Sequence, residues 1–275
     1  VNTRLVPRIE LFFQRAHLRN VLVMFNDHPE PTTTDGSENH ALSPTEVAYR
    51  SENLQRLLRL GLDGWWYDRN WTKTIIPPDG FTHEVIGMAL YADAFRAAYP
   101  NRRLFLLSNV DGVVNGVSTG PSNIAAHRYS IQWTGDTSGG QETILSELRN
   151  ILERGETAAL AYVSTDLGGH LTSSHQITDR EYLRWVQAGA LMPIFRPHVT
   201  ANDPGRMPWL RGETVTDIYR EYLNLRYRLL PVFYQLAWEN QQTGLPIARP
   251  MTFGWPHHPS AERYDQYMLG EDILV

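Results

Sequence analysis

Short apolar runs alternate with longer amphipathic stretches along the whole chain. Residues 20–26 (NVLVMFN), 63–68 (DGWWYD), 103–108 (RLFLLS), 129–133, 157–164 (TAALAYVS) and 192–195 read as strands. Runs this uniformly apolar suit strands covered on both faces. Between them, helical periodicity and end signals predict helices over 43–60, 82–98, 143–154, 179–191 and 217–243. The start at Ser43 is well specified. Its hydroxyl can cap, Pro44 presets the first helical φ, and Glu46 stands three residues on. Gly61 supplies the stop. Pro231 falls inside the last helix and predicts a kink there.

Strand followed by helix implies parallel strands joined by helical crossovers. A doubly wound sheet and a (β/α)8 barrel both fit. No glycine-rich phosphate loop follows the first strand, which argues against a dinucleotide-binding sheet. The expectation is an α/β chain forming an incomplete (β/α)8 TIM barrel: six of eight strands, with the first two absent. The chain opens without a methionine and closes on a strand-like run over 272–275, so both ends look cut.

Polar residues recur at one place in this pattern. Asn26-Asp27-His28, Asp68-Arg69-Asn70, Ser108-Asn109, Asp136, Asp166 and Arg196-Pro197-His198 follow the six runs in turn. Barrel enzymes build their sites at the C-terminal ends of successive strands. Any one of these residues could merely start a turn or cap a helix. Six in register point to one site. Asp63, before the second run, reads as a turn or cap residue instead.

Composition narrows the chemistry. The formal net charge is −5 with no basic face, which excludes nucleic acid as a partner. No apolar run approaches a membrane span. There is no cysteine, hence no disulfide and no thiolate metal site. A cytoplasmic and a secreted setting both fit. The 8 tryptophans and 13 tyrosines supply flat apolar faces with a polar handle, suited to stacking on sugar rings. Two aspartates stand on such aromatic strands, in Trp65-Trp66-Tyr67-Asp68 and Trp133-Thr134-Gly135-Asp136. Glycoside cleavage uses two carboxyl groups flanking the scissile bond, about 5–5.5 Å apart when configuration is retained.

Four segments resemble glycoside hydrolase family 31 in order and spacing. GLDGWWYDRNW (61–71) resembles that family's nucleophile strand, RYSIQWTGD (128–136) its acid/base segment, STDLGG (164–169) its GxDIGGF-like motif, and FRPH (195–198) its closing Arg-x-His. The resemblance implies Asp68 as nucleophile and Asp136 as acid/base. It implies Arg128, Asp166 and His198 as binders of sugar hydroxyls, Trp66 and Trp133 as walls of the subsite, and Asp27 or His28 as a further hydroxyl binder. Asp136 has to start protonated, so burial and the charge of Asp68 are expected to raise its pKa. Arg69 or Arg128 would keep Asp68 ionised.

The pattern departs from the family at Arg69-Asn70-Trp71, where many members have Met-Asn-Glu. It departs at Asn109, in place of an arginine after serine, and at His170, in place of an aromatic. These changes surround the glycosyl subsite and leave the sugar open between glucoside, galactoside, xyloside and N-acetylgalactosaminide. The implied activity is a retaining α-glycosidase on an oligosaccharide or α-glycoside, without a cofactor. A transglycosylase and a non-catalytic sugar binder stand as alternatives. The resemblance divides the chain into a barrel segment, 1–245, and a linker with the first strand of a following β-domain, 246–275. It implies β-domains flanking the barrel that this sequence lacks. A metal-dependent barrel hydrolase would draw on Asp27, His28, Asp166, His170, His175 and His198, but no HxH or HExxH pair is present.

Overall fold

The computed structural model describes residues 6–29, 42–68, 76–129, 131–171, 176–200, 205–259 and 261–275. Arg69 and His175 lie outside them, as do Asn70 and Trp71. Contacts divide the chain into two compact units, Val1–Asn109 with Arg128–Ile131, and Val110–His127 with Gln132–Val275.

In the first unit, helix α1 (Ile9–His17) precedes strand β1 (Met24–Asp27). Helix α2 (Pro44–Arg59), β2 (Gly64–Tyr67), α3 (His83–Ala98) and β3 (Leu106–Asn109) follow. The strands pair in parallel, with Asp27 opposite Tyr67 and Tyr67 opposite Ser108. Helix α2 starts as expected, the Glu46 amide donating to Ser43 Oγ. Helix α3 starts at Thr82, whose side chain accepts from the Val85 amide. Its close seat against β2 depends on Gly87, where a Cβ would come 2.1 Å from the Tyr67 ring. Trp65 and Tyr67 are buried, and both rings meet Tyr91 of α3.

Asp63 does more than start a turn. Its carboxylate accepts from the Val23 amide, touches His17 at 2.7 Å and takes Arg102 at 3.1 Å. Burial works to raise its pKa and is outweighed by these donors, which hold the group below the usual range.

The second unit contains a short antiparallel hairpin, β4 (Val113–Val114) with β5 (Val117–Ser118). Strand β6 (Ile131–Trp133), whose last two residues belong to this unit, helix α4 (Gln141–Ala158), β7 (Val163–Ser164), α5 (Asp179–Leu191) and α6 (Glu213–Thr243) come next. Strands β6 and β7 are parallel, with Trp133 opposite Ser164. A capping box, Thr178 with Glu181, starts α5. Helix α6 runs 31 residues through Pro231, which forfeits one backbone bond. Strands β8 (Ala248–Arg249), β9 (Met268–Leu269) and β10 (Ile273–Leu274) form an antiparallel sheet in the order β10-β9-β8. No helix among the described residues is long and apolar enough to cross a membrane.

The sixth expected strand, 192–195, does not form. Pro193 has no N–H to give, and the Arg226 guanidinium takes the carbonyls of Ala190, Met192 and Pro193. The segment meets β7's extension only at the Leu167–Pro197 bridge, with the Leu167 amide donating to Arg196 O.

Candidate active site

Each unit carries a cluster of polar side chains beyond its parallel strands. In the first, Asp68 directly follows β2, and its amide donates to Asp27 O at 3.1 Å, continuing the β1–β2 pairing one residue further. Its Oδ2 lies 2.6 Å from His28 Nε2 and accepts from Asn26 Nδ2 at 3.1 Å. Asn26 and His28 bracket the end of β1, so the parallel register itself delivers both donors. Asp27 points elsewhere. The Tyr91 hydroxyl donates to Asp27 Oδ2, and Arg50 Nη1 stands 3.8 Å from the same oxygen. Burial, then the Asp27 charge, pushes Tyr91 well above its ordinary pKa. Trp66 is half-buried on β2, and Asn109 is buried at the end of β3.

In the second unit, Asp166 follows β7 and is fully buried. Arg196 Nη2 donates to its Oδ1, while Oδ2 has no hydrogen-bond partner among the described residues. Burial raises the carboxyl to about 6, against the pull of Arg196 and His170. The Arg196 guanidinium also lies 5.8 Å over the ring of Trp133, which is buried beneath the site.

The loop after β7 then folds onto the loop after β6. The amides of His170 and Leu171 donate to Thr137 O at 2.8 and 2.9 Å. Gly169 permits this, because its φ is +79° and a Cβ would lie 2.2 Å from Gly139 N. Arg206 fixes the same turn by donating to Gly168 O and Gly169 O, each at 2.6 Å. His170 is thereby set with Nε2 3.8 Å from Asp136 Oδ2. Its ring stacks on His198 at 4.9 Å. Burial first, then the charges of Arg196, His170 and Arg206, lowers His198 to about 3.

The expected burial of Asp136 is not met, since its side chain is 42% exposed. It stands three residues beyond the end of β6, past Gly135, on a turn rather than in the sheet. Arg128 is exposed at the end of a 3-10 turn (Ile124–Arg128) that precedes the N-terminal end of β6. The second unit thus brings Asp136, Asp166, His170 and His198 together. The first brings Asp68, His28 and Asn26 together, with Asp27 held from behind.

Three supporting groups were not singled out from sequence. Tyr91 and Arg50 hold Asp27 from two helices, and nothing local in sequence marks them. Glu147 is fully buried on α4, accepting from Thr134 Oγ1 and from Asn150 Nδ2 at 3.4 Å. Burial raises it to about 7. A signal for it exists: it lies four residues before Ile151 and one turn after Ile144, on the apolar stripe of its helix.

The sequence model of the glycosyl hydrolases family 31 TIM-barrel domain matches residues 10–236. "Alpha-glucosidase 2" of Bacillus thermoamyloliquefaciens is 33% identical over 151 residues, 54% of this chain and 18% of that protein. The solved family 31 alpha-glucosidase from Bacteroides thetaiotaomicron superposes with a TM-score of 0.77 at 25% identity, covering 100% of this chain and 51% of that one. A cycloalternan-forming enzyme from Listeria monocytogenes shares the fold, with a TM-score of 0.78 at 19% identity over 97% of this chain and 29% of that one. The chain therefore spans about half or less of the length of these proteins. The α/β barrel class expected from strand–helix alternation holds, and the chain belongs to glycosyl hydrolase family 31.

Proposed function

We propose that this chain supplies the catalytic barrel of a retaining α-glycosidase that hydrolyses a terminal α-linked sugar. Asp68 attacks the anomeric carbon and forms a covalent glycosyl-aspartate. Asp136 protonates the departing oxygen, then takes a proton from the water that releases the sugar. Asp166 and His198 hold sugar hydroxyls, with Trp66 and Trp133 as walls and Asp27, His28 and Asn109 at the neighbouring strand ends. The observation that carries the reading is the setting of Asp68. Both contacts, from His28 and Asn26, fall on Oδ2. A nucleophilic carboxylate needs one oxygen held and the other directed at carbon.

The test is a panel of aryl α-glycosides (glucoside, galactoside, xyloside, N-acetylgalactosaminide) with the anomer of the first product read by NMR. One α-glycoside cleaved with retention supports the proposal. Release of the β-anomer as first product, or cleavage of none, contradicts it.

A further inference from the structure

Asp166, His170 and His198 each offer one ligand atom, and these atoms lie within 4.8 Å of one another. We propose that the three form a binding site for a single transition-metal dication of zinc's class. One carboxylate and two imidazoles are a donor set that zinc and its neighbours accept.

Two of the donors are also left wanting. Asp166 Oδ2 and His170 Nδ1 are buried atoms with no hydrogen-bond partner among the described residues. A buried polar atom without a partner costs about 1–3 kcal/mol, and a cation that took these two atoms as its ligands would answer both. Donors on a tetrahedral zinc, bonded at about 2.0–2.2 Å, stand about 3.4 Å apart. Closing from 4.8 Å therefore takes a movement of up to about 1.4 Å, with the His170 ring turned out of its stack on His198 so that both lone pairs meet the ion. His170 can supply it, being on a loop and 21% exposed.

The other nitrogen of His170 faces Asp136 at 3.8 Å. With Nδ1 on the metal, closing that gap to hydrogen-bond length would make a carboxylate–imidazole–metal relay, which orients the ring and strengthens it as a ligand. Two guanidiniums work the other way. Arg196 occupies Asp166 Oδ1, and Arg206 acts on His198. Two carboxylates against two guanidiniums leave no net charge to attract the ion, which weakens binding relative to a site without the guanidiniums. Where the proposed function holds, Asp166 and His198 serve the sugar, so metal and sugar exclude each other and the metal inhibits.

Metal-free protein titrated with zinc by calorimetry, and with cobalt by visible absorption, tests the site without any substrate. One equivalent should bind, with cobalt bands of nitrogen and oxygen ligation. His170→Phe and His198→Gln should each weaken binding at least about tenfold, while His257→Ala, away from the cluster, should not. Melting temperatures confirm that the variants fold, and either variant alone suffices should the other not. No saturable binding, or binding unchanged in both variants, overturns the proposal. Zinc added to the aryl-glycoside assay should compete with substrate. Zinc that binds at this site without competing overturns the exclusion and removes Asp166 and His198 from the sugar site, while the metal site stands.

Discussion

The two polar clusters are built on different principles. Around Asp68 and Asp27 every carboxylate is engaged by a neighbour: His28 and Asn26 on one, Tyr91 and Arg50 on the other. Around Asp136 and Asp166 the engagement is partial. Asp166 is sealed from solvent with one oxygen unmet, and Asp136 is half open with an imidazole at 3.8 Å. The first arrangement fixes a carboxylate in place. The second leaves a buried carboxylate oxygen unmet beside an accessible carboxylate. A carboxylate that attacks needs the former, and residues that bind or exchange protons need the latter.

The comparison can be broken in order of expected effect. Asp68→Asn removes the attacking oxygen and should lower kcat by about 10^4-fold or more, measured on the best aryl glycoside with the melting temperature unchanged. A variant retaining most of its activity would end the separation of roles. Asp166→Asn keeps the shape but weakens the acceptor, and should lower kcat/KM by about 10- to 100-fold. Tyr91→Phe removes one donor behind Asp27 and should cost about three- to tenfold in kcat/KM. An unchanged value there would mean that Arg50 alone holds Asp27.

The smallest effect is on stability. Glu147 has a folded pKa near 7 against 4.5 in the unfolded chain. Between those values the unfolded chain has lost the proton that the folded one keeps. Its contribution is thus present at low pH and is lost as pH rises through the window, at up to about 1.4 kcal/mol per pH unit. Asp166, raised to about 6, acts in the same direction. His198, lowered to about 3, acts the opposite way, so the test is the difference between proteins: from pH 4.5 to 7.5 the urea midpoint of the wild type should lose ground with rising pH relative to that of Glu147→Gln.

Much of this was legible in the sequence. The start of α2 at Ser43-Pro44 and the span Asp179–Leu191 follow from local capping chemistry, which the chain carries within four residues. The strand-end register of Asp27, Asp68, Asn109 and Asp166 follows from apolar runs ending in polar residues. Helix α1 went unmarked because Arg8 caps nothing with its side chain, although Ile9, Phe12, Phe13 and Ala16 carry the helical period. The lost strand at 192–195 depended on Arg226, which lies 33 residues beyond Pro193. The partners of Asp27 and the seat of Glu147 are likewise long-range facts. The exposure of Asp136 arose because the chain leaves the sheet before reaching it.

Under the proposed mechanism Asp68 forms the covalent bond. An activated fluoroglycoside of the preferred sugar, followed by peptide mass spectrometry, tests it most directly. One glycosyl adduct is expected on the peptide carrying Asp68, and none in Asp68→Asn. An adduct on Asp136 or another residue, or turnover without any trapped adduct, would contradict it.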